Sequence, residues 1–429
     1  MFNSVSFNNC VFKDIICIGE SDNSSLIRFK SSDYGNTLNM TNITIDNCSS
    51  NGDLIIIEGS DSTILQSNLI IKNVTSYGSI INNLSSKSNY YLNNSIISNN
   101  KNINKFKCGL ISYDNNINIY FHNSTFKNNI VRNNAISGGA IYMNESSIKR
   151  ENSDNTIKID IKNTLFFKNK AKYYGGAVYS DINEFDTLNI KNVSFIENNA
   201  YAGGAIYING SNASLFQYNN ENFSFKNNTS ESHGNDLATG PYLINYSLNL
   251  NQTSIKSGEA LPIEFTLTDK LNQTVNDMSK YYSNIILSIN IDKNEEEGYE
   301  YENNDIKIIG NVCNFSKGKC GLNNFKIYSK NPLNVNLLLS LDNENKNIFF
   351  KNDKLKLIIN NCDSNQFKMY IKGKYYYCEN PLCGDNCPAS SAMCIKNENK
   401  NTNDKNLNIC ECIKGWKGDE CQLKDYAII

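Results

Sequence analysis

Three near-identical segments decide the fold: Gly138-Gly139-Ala140-Ile141-Tyr142, Gly175-Gly176-Ala177-Val178-Tyr179 and Gly203-Gly204-Ala205-Ile206-Tyr207. Weaker versions precede them at residues 51–54, 77–80 and 108–111. Each segment joins a bend that glycine makes easily to a short apolar run typical of a β-strand. A supersecondary unit that recurs along a chain predicts a solenoid in which every copy forms one coil.

A second motif lies between the glycine segments and consists of Asn, two residues, Phe or Ile, two residues, then mostly Asn or Cys. It begins at positions 42, 68, 94, 123, 163, 192 and 222, so successive copies are 26, 26, 29, 40, 29 and 30 residues apart. Phe7 and Cys10 fit the start of the series without its Asn. Such intervals suit coils with loops of different length. We therefore expect a right-handed parallel β-helix of about eight coils over residues 1–240, with stacked inward Ile and Phe and with turn Asn side chains hydrogen-bonded between coils.

The paired GGA[IV]Y and Fxx[NC] elements resemble the repeats of the polymorphic outer membrane protein family, most closely between residues 120 and 230. Members of that family are surface adhesins built on a β-helix. The resemblance therefore implies an adhesive role at a cell surface, although the β-helix fold by itself carries many functions.

The repeat stops after residue 240 and a different pattern begins. Residues 257–269, 285–291 and 333–341 alternate apolar and polar side chains. Such strands, separated by Asn, Asp and Gly turns, predict an antiparallel β-sandwich over residues 241–361, whose opening stretch resembles immunoglobulin-like modules. The acidic insert at 295–305 is interpreted as a solvated loop, with a loose calcium site as the alternative.

Eight of the 14 cysteines lie between positions 362 and 421, which makes residues 362–429 a Cys-rich segment. Its last six cysteines, with Gly415-Trp416 between the fifth and the sixth, closely resemble an EGF-like module at 383–421. Spacing alone leaves fifteen pairings of six cysteines open. The resemblance implies the pairs Cys383–Cys394, Cys387–Cys410 and Cys412–Cys421.

The other cysteines give weaker predictions. Cys362 with Cys378 and Cys313 with Cys320 are plausible local pairs. Cys10 and Cys48 take the same motif position in neighbouring coils, which predicts either a disulfide or stacked reduced thiols. Cys17 and Cys108 have no partner that the sequence assigns.

The EGF-like module at 383–421 is too small to fold without disulfides. We therefore expect the chain to mature in an oxidising compartment and to be extracellular, at a cell surface. Zinc is the alternative ligand of such cysteines, but Cys410-x-Cys412 lacks the C-x2-C spacing of a zinc site. We therefore predict no metal and no cofactor.

The charge and hydropathy of the chain disfavour several classes of binding partner. The chain has 41 Lys and Arg against 43 Asp and Glu, and no long block of one sign, which disfavours nucleic acid and anionic membranes. Its apolar runs are too short to span a bilayer, so membrane attachment is expected only through a segment outside this chain. The N-terminus lacks the pattern of a signal peptide, so we expect the sequence to be a fragment.

Tyr142, Tyr179 and Tyr207 are the candidate ligand ridge, because aromatic rings beside stacked amides suit a glycan. The alternative is that these tyrosines pack within the coil stack. A β-helix lyase or glycosidase would need clustered charged residues, such as paired carboxylates, on one face. We interpret three aspartates as solvated turn residues in different columns and both histidines as partnerless surface imidazoles: Asp160, Asp181, Asp186, His122 and His233.

Sequons of the form Asn-x-Ser/Thr occur nineteen times, mostly because the repeat itself generates them. The motif residues Asn42, Asn123, Asn192 and Asn222 should be stacked and therefore poor acceptors of glycans. Loop positions are the candidate glycosylation sites: Asn23, Asn144, Asn209 and Asn272.

Taken together, these features predict a non-catalytic, extracellular binding or adhesion protein whose ligand is a glycan or a cell-surface protein. The ectodomain of a membrane receptor and a β-helix polysaccharide lyase or glycosidase are the two alternatives.

Overall fold

The computed structural model describes residues 4–20, 24–104, 109–114, 116–131, 137–144, 157–182, 187–209, 222–247, 254–282, 284–292, 305–342, 347–400 and 402–426. These ranges contain β-strands and turns and no α-helix. Two compact units are present, Met1–Tyr242 with Thr268–Met278, and Leu243–Leu267 with Ser279–Ile429.

The first unit is a parallel β-helix built from three sheets whose strands stack coil upon coil. The first sheet contains Ser4–Asn8, Val11–Lys13, Asn36–Thr41, Thr44–Asp46, Asp61–Ser67, Ile70–Lys72, Lys87–Asn93, Ile96–Ser98, Asn116–His122, Thr125–Lys127, Lys158–Phe167, Thr187–Ile196 and Phe223–Lys226. The second contains Ile16–Cys17, Ser49–Ser50, Thr75–Ser76, Lys101–Asn102 and Ile130–Val131, and continues through single bridges at Lys170 to the pair Asn199–Ala200 and Thr229–Ser230. The third contains Ile27–Ser31, Ile55–Gly59, Ile81–Asn83, Ile111–Tyr113, Ile141–Asn144, Val178–Asp181, Ile206–Ile208 and Leu237–Thr239.

The strand register stacks like residues along the axis. Phe126, Phe166 and Phe195 are direct partners on successive strands, and their rings stack at centroid distances of 4.9 and 4.8 Å. All three are buried, as are the isoleucines that continue the column. Each such side chain contributes about 2 kcal/mol when removed from water. The predicted inward Ile and Phe columns are confirmed.

The first coil shows one error in the predicted alignment. Phe12, not Phe7, is the strand partner of Ile45. Phe7 instead pairs with Met40 on a different strand. The prediction missed that Asn9, with φ 55°, is the motif Asn of this coil.

The two glycines of the GGA motif have different roles. Gly175 has φ 64°, a left-handed conformation that residues with a Cβ adopt at a cost. Gly176 has no such angle, but a Cβ there would overlap the carbonyl oxygen of Gly204 in the next coil and lie 2.7 Å from the backbone nitrogen of Asn199. The motif therefore marks a place where successive coils touch backbone to backbone.

The turn residues form two kinds of Asn ladder. Asn that precede or follow the short strands of the first sheet adopt left-handed φ angles and are exposed, as in Asn163, which donates through Nδ2 to Oδ1 of Asn123 at 3.0 Å. The buried column consists of Asn100, Asn129, Asn169, Asn198 and Asn228. Asn169 is typical, because its Nδ2 donates both to Oδ1 of Asn198 at 3.1 Å and to the backbone oxygen of Phe126 at 2.9 Å. The predicted hydrogen bonding of turn Asn between coils is confirmed.

The segment Thr268–Met278 belongs to the first unit, although the sequence placed it in the sandwich. The carboxylate of Asp269 accepts hydrogen bonds from the backbone of Thr239 at 3.1 Å and of Gln273 at 2.8 Å. Gln273 in turn donates to the backbone oxygen of Leu237 at 2.9 Å. The segment therefore holds the last strand of the third sheet, which no further coil covers in the described part of the chain.

The second unit consists of three mainly antiparallel sheets followed by two small hairpins. The sheets contain Pro241–Ser247, Ile263–Asp269, Lys319–Leu322 and Phe349–Phe350; Ser254–Lys256, Ile286–Ile291, Val312–Asn314, Leu333–Leu341 and Lys354–Asn360; and Ile306–Ile309, Lys326–Ser329, Phe367–Ile371 and Tyr375–Glu379. The hairpins are Ala392–Ile395 with Ile409–Cys412 and Trp416–Lys417 with Leu423–Lys424. Alternate residues of the long strands are buried, as the period of two predicts. Because Tyr376 pairs with Ser329, the sheet structure continues beyond residue 361 to Glu379.

Disulfides hold the second unit together, and those of the described residues are Cys313–Cys320, Cys362–Cys378, Cys383–Cys394, Cys387–Cys410 and Cys412–Cys421. The structure thus brings together the ten cysteines in the combinations that the sequence and the resemblance gave.

Candidate functional site

The predicted tyrosine ridge does not form an open surface. Tyr142, Tyr179 and Tyr207 stack along the third sheet with centroid distances of 5.0 and 5.8 Å. The ring of Tyr174 also packs on Tyr207, at 4.5 Å. Tyr179 and Tyr207 are only 8% and 2% exposed, and Tyr142 is half-buried. The ridge prediction was therefore wrong, and its alternative, packing within the coil stack, describes these rings.

An accessible aromatic pair lies instead on the outer face of the first sheet. Alternation along the strands directs Tyr90 and Phe121 into the core, so that Tyr91 and Tyr120 point outward. These two are direct strand partners, and their rings stack at 4.4 Å with an interplanar angle of 7°. Both rings are half-buried, and their stacking fixes them side by side.

Hydrogen-bonding groups surround this pair. Asn118 Nδ2 donates to Oδ1 of Asn89 at 2.9 Å on the two strands that carry the tyrosines. Partial burial, and then the neighbouring Tyr120, raise the pKa of Tyr91 above its ordinary value. The Tyr91 hydroxyl therefore keeps its proton at neutral pH and can both donate and accept. We call the outward residues of strands Lys87–Asn93, Asn116–His122, Lys158–Phe167 and Thr187–Ile196 the outer face.

A charged cluster adjoins the tyrosines on the outer face. Asp160 is the strand partner of Tyr120, and its Oδ1 lies 3.2 Å from Nε2 of His122. Its Oδ2 accepts from Lys162 at 2.9 Å and from Nδ2 of Asn189 at 3.2 Å. Partial burial raises the pKa of Asp160, but the hydrogen bonds from Lys162 and His122 outweigh that effect, so the pKa lies below its ordinary value. Asp160 is therefore ionised at neutral pH.

This cluster corrects several predictions. Asp160 lies within a strand rather than in a turn, and His122 has a carboxylate partner. Asp181 ends a strand and accepts from Nδ2 of Asn209 at 2.9 Å. Asp186 lies outside the described residues. The sequence missed the cluster because its members come from different coils.

His233 is the second corrected histidine, because it is 5% exposed rather than on the surface. Its Nε2 lies 2.9 Å from the backbone oxygen of Thr239 and its Nδ1 lies 2.9 Å from Oγ of Ser232. Since a carbonyl can only accept, Nε2 carries the proton and Nδ1 accepts from the serine. Burial lowers the pKa of His233, against the opposing effects of the Thr239 hydrogen bond and of Asp269, so the ring is neutral at pH 7.

The described residues of the outer face include few of the carboxyl groups that hydrolysis of a glycan uses. Hydrolysis of a glycosidic bond ordinarily needs two carboxyl groups flanking it, and Asp160 is the one carboxylate among the described outward residues of these strands. Its low pKa also disfavours the protonated form that a general acid requires. No group of three or more His, Cys, Asp or Glu side chains arranged to hold a metal ion occurs in the described ranges.

The cysteines of the first coils lie apart from this face. Because Asn9 stacks on Asn42, Cys10 corresponds to Ile43 in the next coil. Cys48 corresponds instead to Ile15 of the first coil, since the backbone N–H of Ser49 donates to the Ile15 carbonyl. The prediction that Cys10 and Cys48 share a motif position was therefore wrong, and both are free thiols. Cys17 is also free; burial, and then Cys48, raise its pKa. Cys108 lies outside the described residues.

The candidate glycosylation sites differ in the exposure of their Asn side chains. Asn209 and Asn272 are exposed, and Asn144 is half-buried at the end of its strand. Asn23 lies outside the described residues. The motif residues Asn42, Asn123 and Asn192 are exposed but tied into the ladder, as Asn192 donates to Oδ1 of Asn163 at 2.9 Å.

No protein-family model, curated protein or solved structure matches this chain.

Proposed function

We propose that the protein is a non-catalytic binding protein of the cell exterior, of the adhesion type, and that its ligand binds the outer face of the first sheet. The observation that carries the proposal is the stacked pair Tyr91 and Tyr120, held half-exposed on a parallel sheet among amide side chains. A rigid site of this kind binds without losing much side-chain entropy, because stacking already fixes the rings.

The hydroxyl groups and ring edges of the two tyrosines are suited to bind a sugar. Because Tyr91 and Tyr120 stack on each other, each has one ring face covered by its partner. The tyrosine hydroxyls and the Asn89 and Asn118 amides offer both donors and acceptors, which match the hydroxyl groups of a glycan. A cell-surface protein is the other ligand class that such a polar and aromatic face accommodates.

The disulfides support an extracellular location. Small hairpins such as those between residues 383 and 424 bury too little apolar surface to fold without cross-links, and disulfides persist in oxidising compartments. The pairing of first with third, second with fourth and fifth with sixth cysteine is the pattern of EGF-like modules, so we assign residues 383–421 to that class. No described helix is long and apolar enough to cross a membrane.

Glycosylation belongs to the same proposal. Asn272 is exposed and follows the Asp269 turn, and Asn209 is exposed at the end of a coil strand. Both lie in Asn-x-Ser/Thr sequons on the surface, where an attached glycan meets solvent. We propose Asn272 and Asn144 as glycosylated positions of the described chain, and Asn209 as a poorer acceptor because its Nδ2 donates to Oδ1 of Asp181 at 2.9 Å.

The His122 and Asp160 pair favours a second candidate function, a polysaccharide lyase. A histidine oriented by a carboxylate at 3.2 Å can act as a general base. Release of new reducing ends together with unsaturated sugar ends, which elimination leaves and hydrolysis does not, would establish this second candidate in place of the first if His122→Ala abolished it.

The experiment is a glycan array combined with a reducing-end assay on the secreted, oxidised chain. We expect binding without product, weakened at least about tenfold in the Tyr91→Ala, Tyr120→Ala double variant. Tyr77→Ala is the matched control, because Tyr77 is 45% exposed but follows a strand of the second sheet. Equal loss in both variants, or no binding to any glycan or cell surface, would contradict the proposal.

A further inference from the structure

The last strands of the first sheet carry a concentration of positive charge. Among the described residues on or directly after these strands, the cations are Lys127, Lys158, Lys162, Lys168, Lys191 and Lys226, and the carboxylates are Asp160 and Glu197. The whole chain, by contrast, has a formal net charge of −2. Three of these lysines, Lys158, Lys162 and Lys191, lie before the motif Asn on the strands of the outer face, and we call these three the basic patch.

Register brings the patch together. Lys162 is the direct strand partner of Lys191 on one side and of His122 on the other. Neighbouring strands are about 4.8 Å apart, so these side chains form a row along the helix axis. Rows of like charge repel one another, and a fold keeps them more readily where a ligand of opposite charge binds.

Both carboxylates on or directly after these strands are paired with a lysine. Asp160 accepts from Lys162 at 2.9 Å, and Glu197 lies 3.2 Å from the ammonium of Lys168. Two further lysines on these strands, Lys158 and Lys191, are exposed. Lys158 and Lys191 therefore retain positive charges that no described carboxylate balances.

We propose that the ligand of the outer face is an acidic polysaccharide, whose carboxylate or sulfate groups bind the basic patch while neighbouring sugar units contact Tyr91 and Tyr120. This inference rests on the proposed function and specifies the ligand class of the same site. The tyrosines and the patch are continuous, because Asp160, the strand partner of Tyr120, accepts a hydrogen bond from Lys162 of the patch. A polysaccharide bound along the β-helix axis would contact the hydroxyls of Tyr91 and Tyr120 first and the lysines of the basic patch next.

The positive charge of the patch and the regular repeat of the coils both favour an acidic polysaccharide as the ligand. Residues along one column recur once per coil, so a polymer with a repeating anionic group can engage several coils at once. Uncharged polar residues precede the cationic residues in the same columns, as at Asn93, which is the strand partner of His122, and this mixture suits a sugar more than a uniformly charged nucleic acid.

The test measures binding of the secreted chain to heparin, polygalacturonate and neutral dextran, at low and at physiological salt. We expect binding to one or both acidic polymers and not to dextran, weakening as salt rises. Lys162→Gln with Lys191→Gln should weaken that binding at least about fivefold, with unchanged circular dichroism. Lys101→Gln is the control, because Lys101 is exposed on the second sheet.

The outcomes separate the two proposals. Binding to dextran alone would overturn the acidic ligand while keeping a glycan-binding outer face. Binding to an acidic polymer that the double variant leaves intact would overturn the basic patch as the site of that binding. Tighter binding to polyglutamate or to phosphatidylserine vesicles than to any polysaccharide would overturn the ligand class. Absence of binding to every glycan, neutral or acidic, would overturn this inference, and absence on cell surfaces as well would overturn the proposed function.

Discussion

Nε2 of His122 lies 3.2 Å from Oδ1 of Asp160 on the next strand of the same sheet. The contact joins two coils through side chains on the outer face, where solvent screens much of the attraction. It therefore orders the face more than it stabilises the fold.

Asp160→Asn should lower the free energy of unfolding by less than about 1 kcal/mol at pH 7, because exposed ion pairs contribute little. The pKa of Asp160 is lowered in the folded protein, so its contribution is present above the unfolded pKa and is lost as the pH falls through the folded value. Urea unfolding of both proteins from pH 7 to pH 3 measures this, with the exposed Asp385→Asn as control. A loss above 2 kcal/mol, or one independent of pH, would contradict it.

The buried and the exposed Asn ladders should differ in what they contribute. Asn169→Ala removes the partner of the Phe126 carbonyl and of the Asn129 backbone N–H, both of them in the core. Each buried unpaired group costs about 1–3 kcal/mol, so we expect a loss of about 3 kcal/mol or more.

Asn163→Gly is the matched substitution in the exposed ladder. Asn163 has φ 48°, a conformation that glycine adopts readily, so the lost side-chain hydrogen bonds should be largely offset. We expect a change below 1 kcal/mol in urea unfolding. Equal losses at the two positions would mean that the buried ladder has no special role.

Much of the architecture could be predicted because its signals are local. A left-handed turn selects Asn, and a backbone contact between coils excludes any residue with a Cβ, as at Gly176. These constraints act on every coil and therefore repeat in the sequence. The disulfide pairing of residues 383–421 was likewise available, through a resemblance.

The outer face was harder to predict because it depends on register between coils. Its signal was nevertheless present: His122, Lys162 and Lys191 each directly precede a motif Asn, and Tyr91, Tyr120 and Asp160 each lie three residues before one. The motif runs forward from each Asn toward the core, whereas these columns precede the Asn. The alignment error in the first coil has a similar origin, because the motif Asn of that coil is Asn9 and the predicted series places its Phe before that residue, at Phe7.

Gly176→Ala should destabilise the β-helix by more than about 3 kcal/mol or prevent its folding. The added Cβ would meet the Gly204 carbonyl oxygen, which is backbone and cannot move without separating two coils. Gly240→Ala is the control, because its Cβ would lie 3.3 Å from the Tyr207 hydroxyl, at the end of a side chain. Thermal unfolding followed by circular dichroism compares the two, and a similar melting temperature for both variants would refute the backbone-contact explanation.

Acid should weaken the end of the β-helix through His233. Burial holds its folded pKa below the unfolded value of about 6.5, so at intermediate pH the unfolded chain binds more protons and the free energy of unfolding falls as the pH decreases. The loss begins near pH 6.5 and continues until the folded pKa is reached. His233→Gln keeps a donor for the Thr239 carbonyl and cannot titrate, so its stability between pH 7 and pH 5 should change less than that of the wild type. In the His122→Gln variant His233 is the one histidine of the chain, so the pH dependence of the free energy of unfolding that remains between pH 7 and pH 5 can be attributed to it. The same slope in wild type and His233→Gln would show that this buried imidazole does not control the acid sensitivity of the fold.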